Sequence, residues 1–174
     1  MELWQLIISV TGVVIGFLVG FFAEPVKTYF SNLHTKKLLH KALYKEISFF
    51  YARMIDINSN DIDYDWDIYK KSLRIIARFE SHEYAKLNPM LFHQIEESSA
   101  ISQVYANYEN YIEGFLFTNV KQHVVNAKGI TEIVEELIIK KRLDKKLFLA
   151  SIDKEHSVNL LKRLQQKEKL FLQK

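Results

Sequence analysis

The sequence predicts an all-α protein: one N-terminal transmembrane helix continuing into a cytoplasmic helical bundle. Three observations carry that prediction. The stretch from Leu3 to Ala23, LWQLIISVTGVVIGFLVGFFA, holds no charged residue, and at 1.5 Å per residue it makes a helix roughly 31 Å long, enough to cross a bilayer core. Only five Gly and two Pro occur in 174 residues, so little in the chain interrupts a helix. Beyond the apolar run, large apolar residues return every three or four positions, the period of a half-buried helix.

The expected division is residues 1–24 as transmembrane helix and 25–174 as cytoplasmic helical domain. About 150 residues remain after the span, enough for one compact domain and hardly two. A cleaved signal peptide is the alternative for the first helix. It fits poorly, because Met1 and Glu2 supply no positive n-region and Phe21-Phe22-Ala23 is a poor cleavage site. Lys27, Lys36, Lys37 and Lys41 follow the span, with no Lys or Arg before it. The positive-inside rule therefore places the N-terminus outside and the domain in the cytoplasm, with the protein in the inner (plasma) membrane.

Pro25 has no N–H to donate, so a kink or a fresh helical start is expected there. A helix from about Val26 to Ile55 follows, with Val26, Tyr29, Phe30, Leu33, Leu39, Ala42, Leu43, Ile47, Phe50 and Met54 on its apolar side. Its first turns are basic and suit anionic headgroups. A second helix is expected over about Trp66 to Ala85, with Tyr69, Leu73, Ile76 and Ala77 inward. Asn88-Pro89 reads as N-cap and first helical position, opening a long pattern through Phe92, Ile95, Tyr105, Tyr108, Ile112 and Phe115. That pattern bends near Gly114 and ends at Gly129 as a C-cap. A shorter helix from Thr131 to about Leu143 begins with Glu132 and Glu135 and ends in Lys140, Lys141 and Arg142, an order that complements the helix dipole. Leu147 to Ile152 is a weak strand candidate. Asp153 caps a last helix, about Lys154 to Leu172, with Val158, Leu161, Leu164 and Phe171 inward.

Composition removes several function classes. The chain has no cysteine, which excludes thiol catalysis, disulfides and cysteine-based metal sites. The formal net charge of +3 makes no bulk case for nucleic-acid binding, which leaves only local patches. No Gly-rich phosphate loop, Ser/His/Asp set or paired-carboxylate motif occurs, and the chain reads as a non-enzyme without cofactor.

Two constellations remain as candidate sites. At about 100° per residue, Gln5, Ser9, Gly12, Gly16, Gly20 and Ala23 share a stripe about 80° wide, free of large apolar side chains. Glu24 lies near its edge. The Gly12-x-x-x-Gly16-x-x-x-Gly20 series lets helix backbones approach closely where packing drives association, so a homo-oligomer is expected through this face. Around an axis the same face lines a narrow water path, with Gln5 and Ser9 inside and Glu24 as a ring of carboxylates at its mouth. A tight seam and a pore are equally compatible with the spacing. The second constellation is Lys140, Lys141, Arg142, Lys145 and Lys146, the densest basic run. It reads either as a solvated helix end or as a site for an anionic lipid, nucleotide or oligonucleotide.

Other patterns are weaker. Asp56, Asn58 and Asn60 fall on the first ligand positions of an EF-hand loop, with Asp67 twelfth. Asp61 replaces the turn glycine and Asp63 an apolar residue, so an acidic solvated loop is expected. Asp153-x-x-His156 and His93-x-x-Glu96 have ligand-compatible spacing but supply only two donors each. Arg78-x-x-x-His82 resembles the Arg…His pair of helical HEPN ribonucleases, yet its spacing is too short and Phe79 stands where a polar residue is usual.

The span leading into Ala23-Glu24-Pro25-x-Lys27, then the basic helix ending Leu43-Tyr44-x-Glu46-Ile47, resembles bacterial proteins with a single N-terminal anchor and a helical cytoplasmic domain. That resemblance covers the first third of the chain and implies no activity. By architecture alone the chain is similar to small transmembrane effectors of nucleotide-signalled anti-phage systems. That similarity implies an oligomeric pore or membrane-disrupting device controlled by a nucleotide or oligonucleotide on the soluble domain. The function expected is thus a homo-oligomeric membrane effector or ion channel regulated through its cytoplasmic domain. The alternative is a membrane-anchored scaffold or adaptor that binds a cytoplasmic protein without pore activity.

Overall fold

The computed structural model describes the backbone of residues 2–59, 79–114 and 120–171, and the side chains of residues 27–57, 79–114 and 122–169. Among these residues every regular element is an α-helix, in the order α1 (Glu2–Ser59), α2 (Glu80–Leu87), α3 (Pro89–His93), α4 (Ser98–Gly114), α5 (Val120–Ile139), α6 (Lys145–Ser151) and α7 (Lys154–Phe171). The result is an all-helical bundle. The chain divides into two compact units, Met1–Leu38 and Leu39–Lys174.

The first unit consists of the N-terminal part of α1. The helix passes through Pro25 without interruption, where a fresh start was an open expectation. Tyr29 (62%) and Phe30 (64%) are exposed, which corrects their placement on the inward side of the domain. Leu33 is half-buried. Among the described residues no helix is long and apolar enough to cross a membrane. The Leu3–Ala23 segment lies outside the residues whose side chains are described.

The second unit is organised around the rest of α1. Leu39, Leu43, Ile47, Phe50, Met54 and Ile57 are buried, a series of steps of four and three that keeps one face of a helix covered. Tyr44 and Tyr51 widen that face and are also buried. Groups from α2, α4, α5, α6 and α7 all meet α1. Tyr108 of α4 donates to Ile47 O (3.1 Å) and Tyr105 to Glu46 Oε2 (2.6 Å). Ser48 donates to Ser151 O on α6 at 2.9 Å. The Ser81 amide of α2 donates to Glu46 Oε1 at 3.1 Å, so a carboxylate of α1 satisfies a first-turn N–H of α2. Aromatic edges fill the spaces between, with Phe50 against Phe79 at 5.4 Å and Tyr108 at 4.5 Å between ring centroids. α4 packs along α5, and α5 along α7.

Several boundaries differ from those expected, each for a local reason. α2 begins at Glu80, because Phe79 has φ −76° and ψ 65° and is outside the helix. The rest of the expected Trp66–Ala85 helix lies outside the described residues. Pro89 does open α3, but Asn88 makes no side-chain cap there. Its Nδ2 instead donates back to Tyr84 O at 2.9 Å and closes the end of α2. α5 runs through Gly129, which is therefore no C-cap. Its glycine penalty is outweighed by burial of Ala127, Ile130, Val134, Leu137 and Ile138 on one side of the same helix. Leu147–Ile152 is not a strand: Asp144 Oδ1 accepts from the Lys146 and Leu147 amides at 2.7 and 3.0 Å and starts α6. Asp153 opens α7 as expected, accepting from the His156 amide at 3.0 Å. Val158 is 47% exposed, and Leu160 and Leu164 carry the inner face in its place.

Candidate functional site

The first predicted constellation, Gln5, Ser9, Gly12, Gly16, Gly20 and Glu24, lies outside the residues whose side chains are described. The helix that contains it continues through exposed Lys27, Tyr29, Phe30 and Lys37.

The second constellation is brought together where α5 turns into α6. Lys141 takes φ 55°, the left-handed conformation usual for glycine after a helix. Its amide donates to Ile138 O at 3.1 Å and that of Arg142 to Leu137 O at 2.8 Å, the paired bonds of a Schellman ending. Buried Leu143 then anchors the turn, and the Asp144 amide donates to the Tyr44 hydroxyl of α1 at 2.6 Å. The five cations do not act alike. Lys140 is paired with Glu136 at 2.9 Å and Lys145 with Glu168 at 3.5 Å. Arg142 Nη1 donates to Gln103 Oε1 at 3.4 Å. Among the described residues Lys141 and Lys146 have no ion-pair partner. The adjoining cleft of about 650 Å³ is lined by Lys141, Arg142 and Lys145, but also by Glu96, Glu97, Asp144 and Glu168. Carboxylates thus balance the cations inside the cleft. Positive potential open to an anion is left at the outer edge, on Lys141 and Lys146.

Three polar clusters were not assembled from sequence. Glu135 is fully buried on α5 and meets Arg163 Nε at 2.7 Å and Lys167 Nζ at 2.6 Å, both from α7. Tyr51 of α1 also donates to it at 2.8 Å. This corrects its reading as a first-turn acid, since α5 begins at Val120 and puts Glu135 mid-helix.

The second cluster is a clamp on His156. Its Nδ1 lies 2.8 Å from Asp153 Oδ2 and its Nε2 2.9 Å from Asp56 Oδ1. The spacing of Asp153 and His156 is thus used for an ion-pair tie between α7 and α1. Of the EF-hand-like series only Asp56 has a described side chain, and Asn58, Asn60, Asp61, Asp63 and Asp67 lie outside. Burial opposes charging of His156, but the bonds from Asp153 and Asp56 outweigh it and raise its pKa above the ordinary 6.5. A histidine raised in this way stabilises fully below its unfolded pKa and loses that contribution as pH climbs through the folded value. Unfolding free energy is therefore expected to fall as pH rises above about 6.5. Denaturant titrations at pH 6.5 and pH 8 check this, and His156→Gln is expected to flatten the decline. An equal decline in that variant refutes the assignment.

The third cluster joins α2 to α4. His82 is 7% exposed, and its ring stacks on Tyr105 at 4.0 Å and 5°. Its Nδ1 lies 3.4 Å from Glu109 Oε1, too long for a good hydrogen bond, and is buried without a hydrogen-bond partner. Lys86 Nζ binds Glu83 Oε1 and Glu109 Oε1, both at 2.9 Å. Burial, then the Lys86 charge, lowers the His82 pKa despite the opposing carboxylates. His93, the last residue of α3, and Glu96, which follows it before α4, are both exposed.

Comparison with protein-family models, with curated proteins and with solved structures finds no match. The functional reading rests on the chain's own residues.

Proposed function

We propose that the chain is a single-pass protein of the plasma membrane, with its N-terminus outside and its helical domain in the cytoplasm. In this reading it self-associates through Gln5, Ser9, Gly12, Gly16 and Gly20, with Glu24 at the cytoplasmic mouth. The assembly acts as a membrane effector or ion channel, of the kind used in anti-phage defence. The observation that carries the reading is the uncharged Leu3–Ala23 run with its small-residue stripe, set in a helix that continues to Ser59. Exposed Tyr29 and Phe30 beside Lys27 suit an interfacial position just past a span. The regulatory input is an anionic nucleotide or oligonucleotide held by Lys141, Arg142 and Lys146 at the α5–α6 turn; the unpaired state of Lys141 and Lys146 supports this.

The test is the oligomeric state of the full-length protein in detergent, together with leakage from vesicles. Gly16→Leu is expected to leave the helical signal intact and abolish both assembly and leakage. Unchanged assembly and leakage in that variant overturn the proposal. Lys141→Glu with Arg142→Glu is expected to abolish oligonucleotide binding without altering assembly.

The adaptor reading has one observation in its favour. Tyr84 (45%), Leu87 (81%) and Met90 (83%) are exposed together around the end of α2, and large exposed apolar groups mark contact surfaces. It predicts that an unrelated single-pass helix in place of Leu3–Ala23 preserves function.

A further inference from the structure

We infer that His82, Glu83 and Glu109 form a binding site for a divalent transition-metal ion, zinc in the first instance, in competition with the Lys86 ammonium. One donor atom from each residue lies within 4.8 Å of the other two. The His82 Nδ1 to Glu109 Oε1 separation is 3.4 Å. Zinc bonds of about 2.0–2.1 Å in a tetrahedron place neighbouring ligand atoms roughly 3.3–3.4 Å apart. That separation is long for a hydrogen bond and right for two ligands of one ion.

An ordinary ion-pair cluster accounts for only part of this arrangement. Lys86 satisfies Glu83 and Glu109, but it leaves buried His82 Nδ1 with only the 3.4 Å approach of Glu109 and no well-formed hydrogen bond. Buried polar atoms without a partner are uncommon and call for a reason. Stacking on Tyr105 fixes the plane of the imidazole, and with the proton on Nε2 the Nδ1 lone pair points at the carboxylates.

Lys86 is also displaceable. Its side chain is 48% exposed, as are 64% of Glu83 and 36% of Glu109, and ion pairs this exposed hold weakly. The long lysine stem swings into solvent at little cost, and a divalent ion brings twice the charge to the same two carboxylates. Access is open, because the cluster borders a groove of about 820 Å³ that is also lined by Glu80 and Glu113. Four carboxylates against one lysine make that groove cation-attracting. One imidazole with two carboxylates suits zinc better than magnesium, which prefers an all-oxygen octahedron. The inference does not depend on the membrane reading.

Zinc titration of the chelator-treated full-length protein in detergent, followed by calorimetry, tests it. One zinc per chain is expected in the wild type. Lys86→Met keeps the methylene stem, removes the competing charge and is expected to tighten zinc binding at least tenfold. Glu109→Gln in the Lys86→Met background is expected to weaken it at least tenfold. Both positions are partly exposed, and circular dichroism of each variant is expected to match the wild type. Magnesium at the same concentration is expected not to compete. Absence of a one-to-one zinc site in the wild type, no tightening in Lys86→Met, or no loss on adding Glu109→Gln overturns the proposal.

Discussion

Replacing Arg163 and Lys167 together with Met is expected to destabilise the helical unit by about 3 kcal/mol, more than replacing the glutamate they bind. The asymmetry follows from where each group lies. Glu135 is fully buried, whereas the Arg163 and Lys167 side chains are 34% and 28% exposed. Without the two cations the carboxylate stays in the core with the Tyr51 hydroxyl as its hydrogen-bond donor. A buried charge stripped of its partners is among the costlier defects a core can carry. Without Glu135, the two cations turn outward to water, and Glu135→Gln is expected to cost only about 1 kcal/mol. Glu135→Leu added to the double replacement is expected to recover most of the loss, since well-packed apolar groups substitute for buried ion pairs at little cost. Urea denaturation followed by circular dichroism orders the variants. A glutamine variant less stable than the double replacement refutes the account.

Phe148→Ala is expected to lower stability by about 3–5 kcal/mol and the melting temperature by on the order of 10 °C. Phe148 is the one fully buried side chain of α6. Its ring meets Tyr51 edge-on at 5.5 Å and Tyr44 at 6.5 Å. A helix of seven residues does not persist on its own hydrogen bonds, so removing this ring also removes what holds α6 against α1. Leu147 and Leu149 are half-buried, and alanine at either position is expected to cost less than half as much. Thermal unfolding of the three variants decides whether α6 hangs on one residue. Equal losses at all three positions would mean that it does not.

The all-helical class and the apolar face from Leu39 to Met54 were legible because burial there follows a helical period, which survives any arrangement of neighbours. The Asp153 cap and the Pro89 start were legible because their chemistry is local. The misreadings share a cause: one local signal admits two local outcomes, and the neighbouring residues choose between them. Gly129 looked like a stop, but the apolar side of α5 needs residues before and after it. Asn88 has the chemistry of a cap, and it closes the helix behind it where the helix ahead was expected. The His82–Glu109 cluster was invisible because its members are ordinary residues until the rotation of α2 against α4 is known. The basic run at Lys140–Lys146 was recognised as a cluster. Of its partial neutralisation, the Glu136–Lys140 pair is a local i,i+4 contact, whereas Glu168 reaches Lys145 only through the packing of α7.

The placement of α1 has a consequence for how the chain is made. Among the described residues, the hydrogen bonds that link positions 59 to 103 residues apart all have α1 as one partner, from Tyr105–Glu46 to Ser48–Ser151. α1 is synthesised before every described element that covers it, so its apolar face waits longest for its cover. Helical proteins dominated by neighbouring contacts fold as they emerge, but here closure must await α6 and α7. During that interval the uncovered face from Leu39 to Ile57 is a temporary hazard for aggregation and a natural client for whatever receives the nascent chain.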